Sequence, residues 1–230
     1  METLPVPRDF FLPLPASSLE LQVFAIFLFL LHILFVNLML GGSLLSLVFE
    51  IRGLRRPSLD ALAREISATV TVNKSLAVVL GVGPLLVINA LYGLWFYSAN
   101  ALTGTAWISI VPLVISAFLL LYAHKYSWDA LADRKGLHLM LGGAGVLLLL
   151  VVPLIFLANI NLMLFPDRWL EVKGFLSTVV LANVLPRFLH FILASVAVTS
   201  LFLAGWFCRR RFPFEERFPG LDRCEIRREL

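Results

Sequence analysis

The chain has 230 residues, of which 60% are hydrophobic and 15% charged, and its mean hydropathy is +0.90. Soluble domains are nearer half apolar and a quarter charged, so this composition excludes an ordinary soluble protein and indicates lipid as the main solvent. The net charge of +4 does not indicate nucleic-acid binding, because the basic residues flank apolar stretches, as they do beside membrane spans.

Five apolar stretches are long enough to cross a bilayer, which takes about 20 mostly apolar residues in a helix. The sequence therefore predicts an all-α fold, an integral membrane bundle of five transmembrane helices. We divide the chain into a segment 1–19, a transmembrane domain 20–206 and a basic tail 207–230. The five stretches are 20–49, 72–99, 105–126, 138–164 and 176–206.

Lysine and arginine are concentrated in the first and third loops and in the tail. By the positive-inside rule these segments lie in the cytoplasm. This predicts a multi-pass protein of the cell inner (cytoplasmic) membrane, with the N-terminus outside and the C-terminus cytoplasmic. Cys208 and Cys224 then face a reducing compartment, so no disulfide is expected. The absence of a C-x-x-C-H motif excludes covalent c-type haem attachment.

Two histidines, His32 and His190, lie deep in the first and fifth spans. Both spans enter from the outer face, and at 1.5 Å per residue the two imidazoles reach a similar depth. An imidazole there can ligate haem iron through one nitrogen while the other donates to a backbone carbonyl. The alternative is a histidine hydrogen-bonded between helices. We favour haem because ionisable residues at membrane depth are costly and usually functional.

An arginine and several glycines accompany these histidines. Arg187 lies one helical turn before His190, where it can pair with a haem propionate or extend its side chain to the interface. Glycines in the first, second and fourth spans allow close approach of either a flat macrocycle or another helix. These glycines are Gly41, Gly42, Gly81, Gly83, Gly142, Gly143 and Gly145.

Three further polar residues lie near the ends of spans. His124 and His138 stand at the cytoplasmic border, where they could hold a second haem or be wet interfacial residues. Asn159, toward the outer end of the fourth span, could bond a neighbouring helix, a propionate or a quinol head group. The spans contain no internal carboxylate, which argues against a proton-driven transporter.

Several stretches, in this order, resemble the N-terminal part of subunit I of the cytochrome bd-type quinol oxidases. The resemblance covers most of the chain and suggests a truncated relative. "LQVFAIFLFLLHILFVNLMLGGSLL" is similar to the first helix of that family and "NKSLAVVLGVG" to the second. "YSWDALADRKGLHLMLGGAG" and "FLANINLMLFP" resemble the two ends of the fourth helix, and "VLPRFLHFILASVAVTSLFLAGW" resembles the fifth.

The resemblance implies roles for individual residues. His32 matches a ligand of the oxygen-site haem, His190 matches a ligand of the low-spin b haem, and Arg187 falls on a basic position beside it. His138 matches a histidine that is not a ligand, and His124, which has no counterpart, is a candidate replacement ligand.

The chain also departs from the family. The family's quinol-site loop, the methionine ligand of its low-spin haem and a further oxygen-site ligand lie beyond the matched part. The acids of its third helix correspond to about Ser109 and Ala117 here. We therefore do not expect this chain to reduce oxygen.

The expected function is that of a membrane b-type cytochrome subunit, the electron-transfer part of a quinol oxidoreductase complex of a respiratory chain. It would pass electrons between the quinone pool and a c-type cytochrome or iron–sulfur protein, with one haem b or two. Either His32 and His190 share one iron, or each serves a separate haem with a second ligand from this chain or a partner. The alternative is a non-redox membrane anchor subunit of a respiratory complex.

Overall fold

The computed structural model describes residues 13–71, 74–209, 212–218 and 220–230. Throughout these ranges the regular structure is helical, with no strand, so the predicted all-α fold is confirmed. Five helical segments are long and apolar enough to cross a bilayer, which makes the chain a multi-pass membrane protein.

Ten α-helices follow one another in the described ranges. They are α1 (Ser18–Gly53), α2 (Pro57–Thr71), α3 (Lys74–Thr103), α4 (Thr105–Ile108), α5 (Ile110–Tyr126), α6 (Lys135–Leu164), α7 (Phe175–Val179), α8 (Val184–Phe207), α9 (Phe214–Arg217) and α10 (Arg223–Glu229). Two 3₁₀ helices, Ala132–Arg134 and Pro166–Glu171, precede α6 and α7. The spanning segments are α1, α3, α4 with α5, α6, and α8.

The first helix is longer than the sequence predicted. A capping box between Ser17 and Glu20 starts α1 at Ser18, and the helix continues to Gly53 rather than ending at residue 49. Its 36 residues measure about 54 Å, well beyond the roughly 30 Å of a hydrocarbon core. Of the predicted N-terminal segment 1–19, residues 1–12 lie outside the described part of the chain.

The fifth span begins later than predicted. Asn183 adopts the left-handed backbone conformation (φ 74°), which ends the preceding turn and lets α8 start at Val184 instead of residue 176. The short helix α7 covers the first half of the intervening residues.

Helix α1 is the centre of the bundle and contacts α2, α3, α6 and α8, while α5 packs on α6. The contact with α8 is close and polar. Ser195 Oγ donates to Asn37 Oδ1 at 2.8 Å, and Thr199 Oγ1 donates to the Asn37 carbonyl oxygen at 2.9 Å. A Cβ at Gly41 would lie 2.2 Å from the Ser195 carbonyl oxygen, so this contact requires glycine.

We expect Gly41→Ala to lower the free energy of unfolding by about 1–3 kcal/mol, because the added methyl meets backbone that cannot move aside. Gly205→Ala, in the same bundle but with open space around the new Cβ, is the matched control. It should be neutral or slightly stabilising, since alanine favours helix. Thermal unfolding of both variants in detergent tests this, and equal midpoints would contradict the packing described.

One end of the bundle, which we call the basic end, carries α2, the α5–α6 connection and the tail. The segment before α3, expected to be a loop, contains the amphipathic helix α2. Its apolar residues pack with the end of α1, with α8 and with aromatic residues of the tail. The tail therefore shares a core with the bundle. This core includes Leu45, Phe49, Leu59, Leu62, Ala63, Ile66, Val70, Leu203, Phe207, Phe212, Phe214, Phe218 and Ile226.

Ion pairs join α10 to the end of α1 and the connection between α1 and α2. Arg56 pairs with Glu225, and Arg52 Nη2 lies 2.6 Å from Glu229 Oε2. The hydrogen bond from Arg56 holds the pKa of Glu225 below its usual range. A lowered folded-state pKa stabilises docking of the tail above the ordinary glutamate pKa of about 4.3, and this contribution is lost as the pH falls through the lower folded value.

We therefore expect the tail to become more susceptible to protease as the pH falls below about 4. Limited proteolysis with an acid-tolerant protease, followed by mass spectrometry of fragments ending in residues 212–230, measures this. In Glu225→Gln the acid-induced part of the change should shrink, because the titrating group at that position is gone. Equal pH dependence in both proteins would contradict a role for Glu225.

Candidate functional site

Three buried ionisable side chains meet at the basic end of the bundle. Glu50 comes from α1, His124 from the last turn of α5 and His138 from the first turn of α6. Their exposed fractions are 0%, 2% and 0%. We call this group the Glu–His–His cluster. Burying a charge-bearing group is costly unless it is paired, so the contacts within the cluster decide whether it is tolerated.

The hydrogen bonds of the cluster account for its protons. His138 Nε2 donates to the backbone carbonyl of His124 at 2.7 Å, and His124 Nε2 donates to Glu50 Oε2 at 2.7 Å. A third hydrogen bond joins His138 Nδ1 to Glu50 Oε1. Since His138 already uses one N–H on the carbonyl, this third bond needs one more proton, held either by the imidazole or by the carboxyl group. The cluster is thus a neutral or internally paired unit.

Neighbouring side chains brace the cluster. The Trp128 ring stands edge-on to His138 with centroids 4.6 Å apart, and its Nε1 donates to Asp60 Oδ2 at 3.2 Å. Lys135 Nζ donates to Asp60 Oδ1 at 2.7 Å and lies 3.7 Å from Glu50 Oε1. Trp128 and Lys135, which flank the α5–α6 connection, therefore support the two histidines.

Close packing fixes the His124 ring. A Cβ at Gly142 would lie 2.8 Å from both Cδ2 and Nε2 of His124, so only glycine at this position admits the ring. Beside it lies a cavity of about 10 Å³, lined partly by Ser43, Ser46 and Ser67. This is about the smallest volume that holds a water molecule.

The two cluster histidines do not fit a haem between them. Their ring centroids are 4.2 Å apart with an interplanar angle of 30°, a stacked arrangement that leaves no space for a porphyrin. Two axial histidines instead point their nitrogens at each other across the iron, about 4 Å apart. The expectation of wet interfacial histidines is also wrong, since both rings are buried.

His32 is placed differently. Its Nδ1 lies 2.8 Å from the carbonyl oxygen of Ala77 on α3, and the ring covers Gly81, whose added Cβ would lie 2.7 Å from Cε1. A carbonyl only accepts, so Nδ1 is the donor and Nε2 carries the lone pair. Among the described residues none bonds this Nε2. An axial haem ligand requires this tautomer, with the lone pair on Nε2. His32 therefore fits the role of a haem ligand.

His190 and Arg187 lie on the exposed surface of α8. At 100° per residue, His190 points about 140° away from the Ser195–Thr199 face that contacts α1. His32 likewise points about 140° away from Asn37, the residue through which α1 contacts α8. The structure does not bring the two histidines together.

Asn159 is buried and joins α6 to α3. Its Nδ2 donates to Asn100 Oδ1 at 2.6 Å, which is the neighbouring-helix alternative of the three considered. Its own Oδ1 and the Oδ1 of Asn161 are buried without a partner among the described residues. Each is an acceptor open to an additional donor.

Glu50 is the site residue that sequence reasoning missed. The first span was predicted to end at residue 49, which led to the inference that the spans contain no carboxylate. The structure corrects this, because α1 continues to Gly53 and holds Glu50 inside the bundle. A signal was present: no glycine or proline interrupts the helical pattern between Gly42 and Gly53.

Comparison of the chain with protein-family models, with curated proteins and with solved structures found no match. The chain's own residues offer three features: an imidazole on α1 whose Nε2 has no partner within the described ranges, an exposed His–Arg pair on α8, and the Glu–His–His cluster.

Proposed function

We propose that the chain is a membrane b-type cytochrome subunit that passes electrons between the quinone pool and a partner redox protein. The observation that carries this proposal is the state of His32. Its Nδ1–H donates to the Ala77 carbonyl, and its Nε2 lone pair has no partner among the described residues.

The free Nε2 needs a partner. A half-buried acceptor without a hydrogen bond costs on the order of 1–3 kcal/mol when it is desolvated. The donated Nδ1–H bond orients the ring and fixes the tautomer, as outer-shell bonds do for metal-bound histidines. Iron of a haem b placed beside α1 and α3 supplies such a partner, and Gly81 provides a surface without a side chain next to the ring.

The separate-haem scheme accounts best for the directions of the two histidines. His190 would bind a second haem b on the exposed face of α8, and Arg187, one turn away, would pair with its propionate. Each haem would take its other axial ligand from this chain or from a partner subunit. The haem carries the electron, while the chain binds and orients it.

The resemblance to subunit I of the cytochrome bd-type quinol oxidases supports this assignment of His32 and His190. By the same resemblance, Ser109 and Ala117 stand where that family has acids, so oxygen reduction is not part of the proposal. The partners would be lipid, a c-type cytochrome or iron–sulfur protein, and quinol. The buried amide oxygens of Asn159 and Asn161, which have no partner in the described part of the chain, are acceptors of the kind that a quinol hydroxyl would bond.

The proposed location is the cell inner membrane, with the basic end in the cytoplasm. The tail, the chain from the last turn of α1 through α2, and the α5–α6 connection with the helix ends beside it carry most of the lysine and arginine, as cytoplasmic segments do. The N-terminus would then lie outside, and the redox partner would approach from that side.

A second candidate is a non-redox anchor subunit. It is favoured by the hydrogen bonds of His32 and the cluster histidines, each of which joins two helices. In this reading the histidines stabilise the bundle, and the exposed faces of α1 and α8 dock a larger respiratory enzyme.

A dithionite-reduced minus oxidised spectrum of the purified chain in mild detergent distinguishes the two. The cytochrome proposal predicts a sharp b-type band and haem that acid acetone extracts, since no covalent attachment motif is present. A colourless protein, purified after expression with added haem precursor and still folded, supports the anchor and ends the cytochrome proposal.

A further inference from the structure

We propose that the Glu–His–His cluster binds one divalent first-row transition-metal ion, for which Zn²⁺ is the simplest choice. This site is separate from the haem positions on α1 and α8 and does not depend on them. Glu50, His124 and His138 would each give one ligand atom.

The ligand atoms are already gathered. One carboxylate oxygen and one nitrogen from each ring all lie within 4.8 Å of one another. Zinc bonds to nitrogen and oxygen measure about 2.0–2.2 Å, so donor atoms around one ion are separated by roughly 3.3 Å. His124 Nε2 and Glu50 Oε2, now 2.7 Å apart, need to separate by less than an ångström.

The residues around the three proposed ligands hold them as the surroundings of a metal site do. The nitrogen of His138 that would not bind metal donates to the His124 carbonyl, which fixes the ring with Nδ1 toward the ion. Trp128 holds both rings edge-on, and Gly142 allows the close approach of His124. Metal sites generally require such oriented and braced ligands.

The cavity lined by His124, although not by Glu50 or His138, has room for the water that would take a fourth position. Its volume of about 10 Å³ suits a single water molecule, and serine side chains line it. Three protein ligands with one open position are typical of a zinc site that keeps a water.

Ligand chemistry selects the class of ion. Two imidazoles with one carboxylate suit zinc or ferrous iron, whereas calcium and magnesium prefer oxygen ligands alone. Lys135 does not cancel the charge of Glu50, because its closer partner is Asp60 at 2.7 Å. When the ion enters, the proton shared by Glu50 and His138 leaves, and the His124 proton moves from Nε2 to Nδ1 so that Nε2 can bind the ion.

The test uses the untagged full chain in detergent, stripped with a chelator and titrated with Zn²⁺ against a chromophoric competitor. Wild type should bind one ion tightly. Glu50→Gln, which keeps the size of the side chain, should weaken binding on the order of a hundredfold or more. Glu65→Gln, which alters a carboxylate at the same end paired with Arg217, should leave it unchanged.

Wild type without a tight site, or Glu50→Gln with undiminished affinity, would overturn the proposal. X-ray absorption at the zinc edge of the wild type gives a second answer that needs no variant. Two imidazole ligands are expected, and fewer would overturn the assignment. The haem spectrum of the same samples tests a different site and does not depend on zinc binding. If no haem is found and the cytochrome proposal fails, the zinc result can therefore still be interpreted.

Discussion

Glu50→Leu is expected to lower the free energy of unfolding by about 3–5 kcal/mol, measured in the presence of a chelator. Leucine has a similar volume, so the loss does not come from a cavity. It comes from His124 and His138, which are almost wholly buried and both bond to the Glu50 carboxyl group. Without that group each ring has an unsatisfied nitrogen and the shared proton has no acceptor.

Glu50→Gln separates this explanation from a general sensitivity of α1. The glutamine oxygen can accept from His124 Nε2, and its amide nitrogen can donate to His138 Nδ1. We expect a loss of about 1 kcal/mol or less. Denaturant unfolding in mixed micelles, monitored by tryptophan fluorescence, measures both variants. Equal stabilities for the leucine and glutamine variants would refute the hydrogen-bond account.

His32→Ala is expected to remove one of two haems from the purified chain. The His32 Nε2 is the proposed axial ligand beside α3, and nothing else among the described residues occupies that nitrogen. Because His190 lies on the far side of α8, its haem should remain. Pyridine haemochrome content per chain and the reduced spectrum measure the result.

His190→Ala is the complementary variant and should remove the other haem. Loss of all haem in either single variant would instead indicate one iron shared by both histidines, against the directions in which they point. Haem content unchanged in His32→Ala would remove the observation on which the cytochrome proposal depends.

The spanning helices could be predicted because their cause is local. Runs of apolar residues longer than about 20 have one stable arrangement in lipid, and all five were found. The ends of these helices were harder to predict from the sequence. The end of α1 was misplaced because Glu50 was read as the first residue outside, when its partners from α5 and α6 keep it inside.

Helix α2 shows a second limit of prediction from local sequence patterns. Its charged residues made the segment look like a loop, although Leu59, Leu62, Ala63 and Ile66 follow helical spacing. Their burial depends on tail residues more than 140 positions away in the chain, such as Phe212. A contact of that kind is not visible in any local pattern.

The site was predicted in part. The sequence grouped His124 and His138 at the ends of adjacent spans, and the structure brings them together, but their common partner Glu50 was not seen. His32 and His190 were matched by depth alone, which says nothing about the direction in which each side chain points around its helix. The α1–α8 contact through Asn37, Ser195 and Thr199 supplies that direction.

The most direct measurement is an electron cryomicroscopy map of the chain purified with its native partners. The account predicts a flat porphyrin density beside α1 and α3 with its iron bonded to His32 Nε2, while Nδ1 still contacts the Ala77 carbonyl. A map in which lipid or protein side chains fill that position, and His32 Nε2 contacts no iron, would contradict it.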